Sequence, residues 1–114
     1  MVWLAYLYPA SAAPLTGEEL LKLCSSHTAT PDRSLCEGFV TGVEAGVDTF
    51  TTGMRILHPG GNMFPALFCG ANLASSDNLV AAAVSYLRHH PDTKHFGAAS
   101  EVMLGLEQAF PCSK

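Results

Sequence analysis

Charge is scarce in this sequence. Only 14% of its 114 residues are charged while 48% are hydrophobic, and the formal net charge is −4. The apolar content excludes a disordered tail, and the acidic balance disfavours DNA, RNA and anionic membranes as partners. A basic protein partner stays compatible with it. Long apolar runs are missing too. Val2 to Tyr8 is the short apolar stretch near the start, far below the roughly 20 residues that a membrane-spanning helix needs. There is no CxxC pair, which disfavours a structural zinc site. There is no G-x-S-x-G elbow and no HExxH, and no strand-like alternation of any length. The chain reads as a binding protein rather than an enzyme, with no cofactor and no metal expected.

What is there divides into two parts. Residues 1–12, MVWLAYLYPASA, resemble the end of a secretory signal peptide: an apolar run, Pro9 as breaker, then Ala10-Ser11-Ala12 as a small-x-small cleavage site. The basic n-region of such a leader is not present, and an ordinary apolar N-terminal arm is the alternative. Residues 13–114 read as a single domain, enough for one core. Its four cysteines are Cys24, Cys36, Cys69 and Cys112; an even count in a small exported domain reads as two disulfides.

The helix signals are local. Thr16 and Glu19 have capping-box spacing and start a short first helix that reaches Cys24. A second helix is predicted from about Arg33 to about Met54, with Cys36, Phe39, Val40, Val43, Val47, Phe50 and Met54 on its core face. Gly38, Gly42 and Gly46 form a neighbouring stripe; glycine costs about 1 kcal/mol against alanine inside a helix, so a row of them predicts close approach by another helix. Glu37, Glu44 and Asp48 form a third, acidic stripe, readable as a solvated face or as a contact for a basic partner. Ser75 or Ser76 caps a third helix reaching His89, with Leu79, Val80, Ala83, Val84 and Leu87 inward, and Pro91 ends it. A fourth runs from about His95 or Phe96 to Phe110, burying Ala99, Val102, Met103, Leu106 and Phe110. The fold class is therefore all-α, a disulfide-stapled bundle of four main helices. The irregular segment after His58 carries Met63, Phe64, Leu67 and Phe68, either a binding loop or a flap over the core.

His89, His90 and His95 cluster around the third corner. His89 and His90 point to different faces and His95 lies beyond Pro91, so a polar interhelical turn with a cation near a helix C-terminus is the better reading.

Several landmarks form a set: Cys24; Cys36-Glu37-Gly38-Phe39-Val40-Thr41-Gly42; Phe68-Cys69; Leu79-Val80; Tyr86-Leu87-Arg88-His89-His90-Pro91; Ala98-Ala99; and Ala109-Phe110-Pro111-Cys112. From about Glu18 to Cys112 the chain resembles the resistance-associated (Rap/Tai-type) family of small secreted immunity proteins of type VI secretion. It departs at Cys69-Gly70-Ala71, where the family usually has Cys-Ile-Pro. The resemblance implies a periplasmic all-α protein, commonly a homodimer, that binds and occludes a peptidoglycan amidase effector. The mature form would have no nucleic-acid or membrane partner. The partner-contacting residues would come from the loop between His58 and Phe68, with Met63, Phe64 and Phe68, and from the acidic stripe of Glu37, Glu44 and Asp48.

The helix order predicts the pairing Cys24–Cys36 and Cys69–Cys112: a tight turn joins the first two, and an antiparallel hairpin of the third and fourth helices brings the others together. Pairing Cys36 with Cys69 or Cys112 would need the second helix to face the far end of that hairpin. Two rival functions are a small periplasmic chaperone or carrier of apolar ligands, which Met63, Phe64, Leu67 and Phe68 would suit, and a metal buffer using the histidine corner.

Overall fold

The computed structural model describes residues 14–60 and 65–112. The leader-like residues 1–12, and Met63 and Phe64 of the loop, lie outside the described residues. Four helices run in order: α1 (Gly17–Cys24), α2 (Pro31–Leu57), α3 (Ser76–His89) and α4 (Ala98–Ala109), with short 3-10 turns at Ala71–Leu73 and Pro91–Thr93. Among the described residues there is no strand, only an isolated antiparallel bridge between Thr16 and Gly97.

Three of the four helices start at a side-chain cap. The Thr16 N–H donates to Glu19 Oε1 at 2.9 Å, and the Thr16 hydroxyl oxygen accepts the Glu19 N–H at 3.2 Å, completing a capping box. The backbone N–H of Thr16, then its hydroxyl, holds the Glu19 carboxyl below the usual range. Thr30 caps α2 by accepting from the Arg33 N–H at 3.2 Å, with Pro31 in the first turn. Ser75 caps α3 through the Asn78 N–H at 3.2 Å. α2 runs past the expected end at Met54 to Leu57, because the first proline beyond is Pro59. α4 starts at Ala98, later than expected, because the backbone before it is in use. Phe96 O accepts from the Gly17 N–H at 2.9 Å, and the Ala98 N–H donates to Leu15 O at 2.7 Å.

α3 and α4 form the most closely packed pair, antiparallel across Gly105. A Cβ at Gly105 would lie 3.0 Å from Tyr86 Cβ, 3.1 Å from Ala82 O and 3.3 Å from Ala83 Cα. The helices approach this closely because α4 has no side chain there. Leu79, Val80, Ala83 and Leu87 of α3 meet Ala98, Val102 and Leu106 of α4, with Leu20 of α1 and Val40 of α2 closing the core. Ala99, expected inside, is exposed, and its neighbour Ala98 is buried. Glu101 is fully buried on the same stripe, and neither of its carboxyl oxygens has a protein hydrogen-bond partner.

The two disulfides are Cys24–Cys36 and Cys69–Cys112, with Cα–Cα distances of 5.1 and 4.9 Å. Cys24 and Cys36 are buried in the core, whereas Cys69 and Cys112 are exposed. The second bridge is reinforced by the Cys69 N–H donating to Phe110 O at 2.8 Å. Gly70 follows with φ 84°, a left-handed conformation that glycine adopts without strain and a β-branched residue would not.

α2 has 27 residues, against 14 and 12 for α3 and α4. At 1.5 Å per residue it is about 40 Å long and its neighbours about 21 and about 18 Å. It must overhang the hairpin. The expected core face accordingly fades along its length: Cys36 and Val40 are buried, Phe39, Val43 and Val47 partly so, and Phe50 is 61% exposed. The glycine stripe also departs from expectation. A Cβ at Gly38, Gly42 or Gly46 meets nothing within 4 Å, so among the described residues no helix packs on it.

These contrasts yield expected outcomes. Gly105→Ala should destabilise the fold by about 1–3 kcal/mol through overpacking against backbone, while Gly42→Ala should stabilise it by up to about 1 kcal/mol through helix propensity alone. Denaturant midpoints check both. Replacing Cys24 and Cys36 with Ala should cost about 3 kcal/mol and replacing Cys69 and Cys112 about 4 kcal/mol on the loop-entropy estimate, read from the same unfolding curves.

Candidate functional site

The overhang of α2 carries the features that a compact bundle would not need. Gly46, Val47, Phe50 and Thr51 of α2, Pro65 and Leu67 of the following strap, and Met103 of α4 line an open groove of about 410 Å³. Its wall is almost wholly apolar. α2 supplies one side because its face continues beyond the hairpin. α4 supplies Met103 from the edge of its buried stripe, and the strap is held by the Cys69–Cys112 bridge just after Leu67. A groove of this size falls in the range that holds a side chain or a small ligand.

The acidic stripe of α2 lies beside this groove but is not uniform. Glu37 pairs with Arg33, Nε to Oε2 at 3.3 Å. Arg33 also reaches the C-terminal end of α1, donating from Nη1 to Cys24 O at 3.2 Å, so Glu37 belongs to a structural corner. Asp48 is exposed. Glu44, expected on a solvated face, is only 9% exposed, and its Oε2 has no hydrogen-bond partner. Burial, and then the negative charge of Asp48 one turn away, raises the Glu44 carboxyl above its ordinary 4.5.

The loop splits. Phe68 is buried in the core cluster, which favours packing for its ring over surface contact. Leu67, one residue earlier, faces the groove instead and is 42% exposed. The histidine corner is a pair of helix-end hydrogen bonds. The His89 Nδ1 donates to Ser85 O at 2.6 Å and the His90 Nδ1 to Tyr86 O at 2.9 Å, with the His90 ring stacked on Tyr86 at a centroid distance of 3.9 Å. Among the described residues no group of three or more His, Cys, Asp or Glu is placed to hold a metal ion. Tyr86 is buried enough to raise its phenol above the usual 10, with Glu101 the next contributor.

Two features escaped sequence reasoning. Glu101 sits on the Ala98, Val102 and Leu106 stripe, and that spacing alone could have marked it as buried. The groove could not have been marked, because its walls come from three separate segments.

The family model for Rap1a immunity proteins matches residues 16–112. The chain belongs to the Rap1a immunity protein family. No curated protein and no solved structure matches it. The Rap1a match takes in all four helices and both disulfides, from the capping Thr16 to Cys112. Among the described residues, no helix of this Rap1a domain is long and apolar enough to cross a membrane.

The raised Glu44 carboxyl gives the Rap1a domain a pH signature. The folded state favours the protonated form, so this stabilising contribution is fully present below the ordinary pKa of 4.5 and is lost as pH rises through the raised value. Glu44→Gln should remove that loss. Thermal midpoints from about pH 4 to about pH 8 should fall less steeply for the variant than for the parent, and the variant should be the more stable at neutral pH.

Proposed function

We propose that this chain is an exported immunity protein that binds a type VI secreted peptidoglycan amidase and occludes its active-site cleft. The observation that carries this reading is the Rap1a match across the whole stapled helical domain. Export to the periplasm is supported by the leader-like residues 1–12 and by two disulfides, which persist in oxidising compartments. In this reading residues 1–12 are removed and 13–114 form the working domain. The contact surface is the groove side of α2 with Glu44 and Asp48, joined by the strap and by the Met63-Phe64 segment.

The working form is a homodimer. The glycine stripe of α2 supports this, since it meets no neighbour among the described residues and is bordered by Leu35, 61% exposed, and Ile56, 73% exposed. A second α2 would gain the close backbone approach that such a stripe permits. Gly42→Trp, placed into open space on the single chain, should convert the dimer to a folded monomer, read by sedimentation velocity and circular dichroism together.

The apolar groove favours one other reading, a carrier of apolar ligands. The two separate cleanly. The immunity reading expects the protein, immobilised, to retain a peptidoglycan amidase from periplasmic extract at micromolar or better affinity, and its co-expression to rescue a host from that amidase targeted to the periplasm. Lysis unaffected by co-expression, with no amidase retained, removes the immunity reading; saturable uptake of an apolar dye competed by fatty acid would then support the carrier.

A further inference from the structure

The groove and the carboxylates beside it make one composite surface. Glu44, Val47, Asp48 and Thr51 stand three, four and seven residues apart, so one stretch of α2 presents both the acidic pair and a groove wall. Leu67 and Met103 close the apolar part. Among the described residues, the ion pairs involve Glu18, Lys22, Arg33, Glu37, Asp77 and Lys94 but neither Glu44 nor Asp48. Arg55, the remaining cation on that stripe of α2, lies two turns beyond Asp48, about 10 Å along the axis.

Glu44 is the informative residue. Stability alone disfavours a glutamate that is only 9% exposed, has a buried, unpartnered Oε2 and has a second carboxylate one turn away. A cation brought beside Asp48 and the Glu44 carboxyl would relieve the repulsion between the two, while the adjoining groove rewards an apolar group.

We infer that this surface takes a basic–apolar pair from its protein partner: an arginine at Glu44 and Asp48, with a neighbouring aromatic or large aliphatic side chain seated between Val47, Leu67 and Met103. The inference rests on the immunity reading only for the identity of the partner, the amidase effector; the surface chemistry is independent of it. Arginine is favoured over lysine because its fork can bridge two carboxylates one turn apart.

The test uses the full domain, labelled with nitrogen-15, and three blocked dipeptides: acetyl-Phe-Arg-amide, acetyl-Phe-Glu-amide and acetyl-Ala-Arg-amide. At millimolar concentration the first should shift the amides of Val47, Asp48 and Thr51, with a dissociation constant about tenfold or more below those of the other two. Asp48→Lys, an exposed change that leaves the fold intact, should abolish the preference for Arg over Glu. Leu67→Ala should weaken binding of the Phe peptides and leave the Ala peptide unchanged. Equal shifts by all three peptides, or none at these amides, overturn the inference. The effector arm keeps the two readings apart. Capture of an amidase equally by parent and Asp48→Lys protein leaves immunity standing and removes this surface from it. Selective dipeptide binding without any amidase capture leaves the surface standing and removes immunity.

Discussion

The buried bridge between Cys24 and Cys36 is the constraint on which the rest of the architecture depends. It joins the end of α1 to the second turn of α2, inside the core and out of reach of solvent. Arg33 strengthens the same corner, bonding to Cys24 O and pairing with Glu37 and with Asp77 at the start of α3. That corner anchors the first turns of α2, and core packing continues through Val40 to Val47. Its last turns have to project, because the α3–α4 hairpin that it packs on is half as long.

In the proposed reading, binding uses that projection. A helix buried along its whole length offers a partner nothing, whereas α2 presents an apolar groove and a carboxyl pair from its middle onward and a glycine stripe from Gly38 to Gly46 that no described residue covers. None of these helps the isolated chain to fold. The exposed apolar side chains forgo burial, the glycines cost helix propensity, and Glu44 ionises against its surroundings. Such local conflicts concentrate at functional or strained sites; these three fall on α2, while the unpartnered carboxyl of Glu101 lies in α4.

The second disulfide couples the hairpin to this surface. Cys112 follows α4, and Cys69 follows the strap bearing Pro65 and Leu67, so closing the hairpin also positions one wall of the groove. The same segment sends Phe68 inward to the core. Adjacent side chains therefore divide between anchoring and exposure.

The sequence by itself determined what is local: the four helices through apolar periodicity and prolines, with caps at the first and third, the inner face of α3, and the disulfide pairing, which needed only the helix order. The family was also legible, through cysteines and glycines at their spacing. Faces were legible and their neighbours were not. Periodicity put Phe50 on the same face as Val40, but whether that face is covered depends on how far the hairpin reaches. Glycine shows the limit most clearly. A row of three on α2 pointed to close packing and meets open space, while the single Gly105 lies against the backbone of α3. Nothing in local spacing distinguishes the two, because close approach is a property of what lies across from a residue. The burial of Glu44 and the three-segment groove beside it were decided in the same way, by tertiary structure alone.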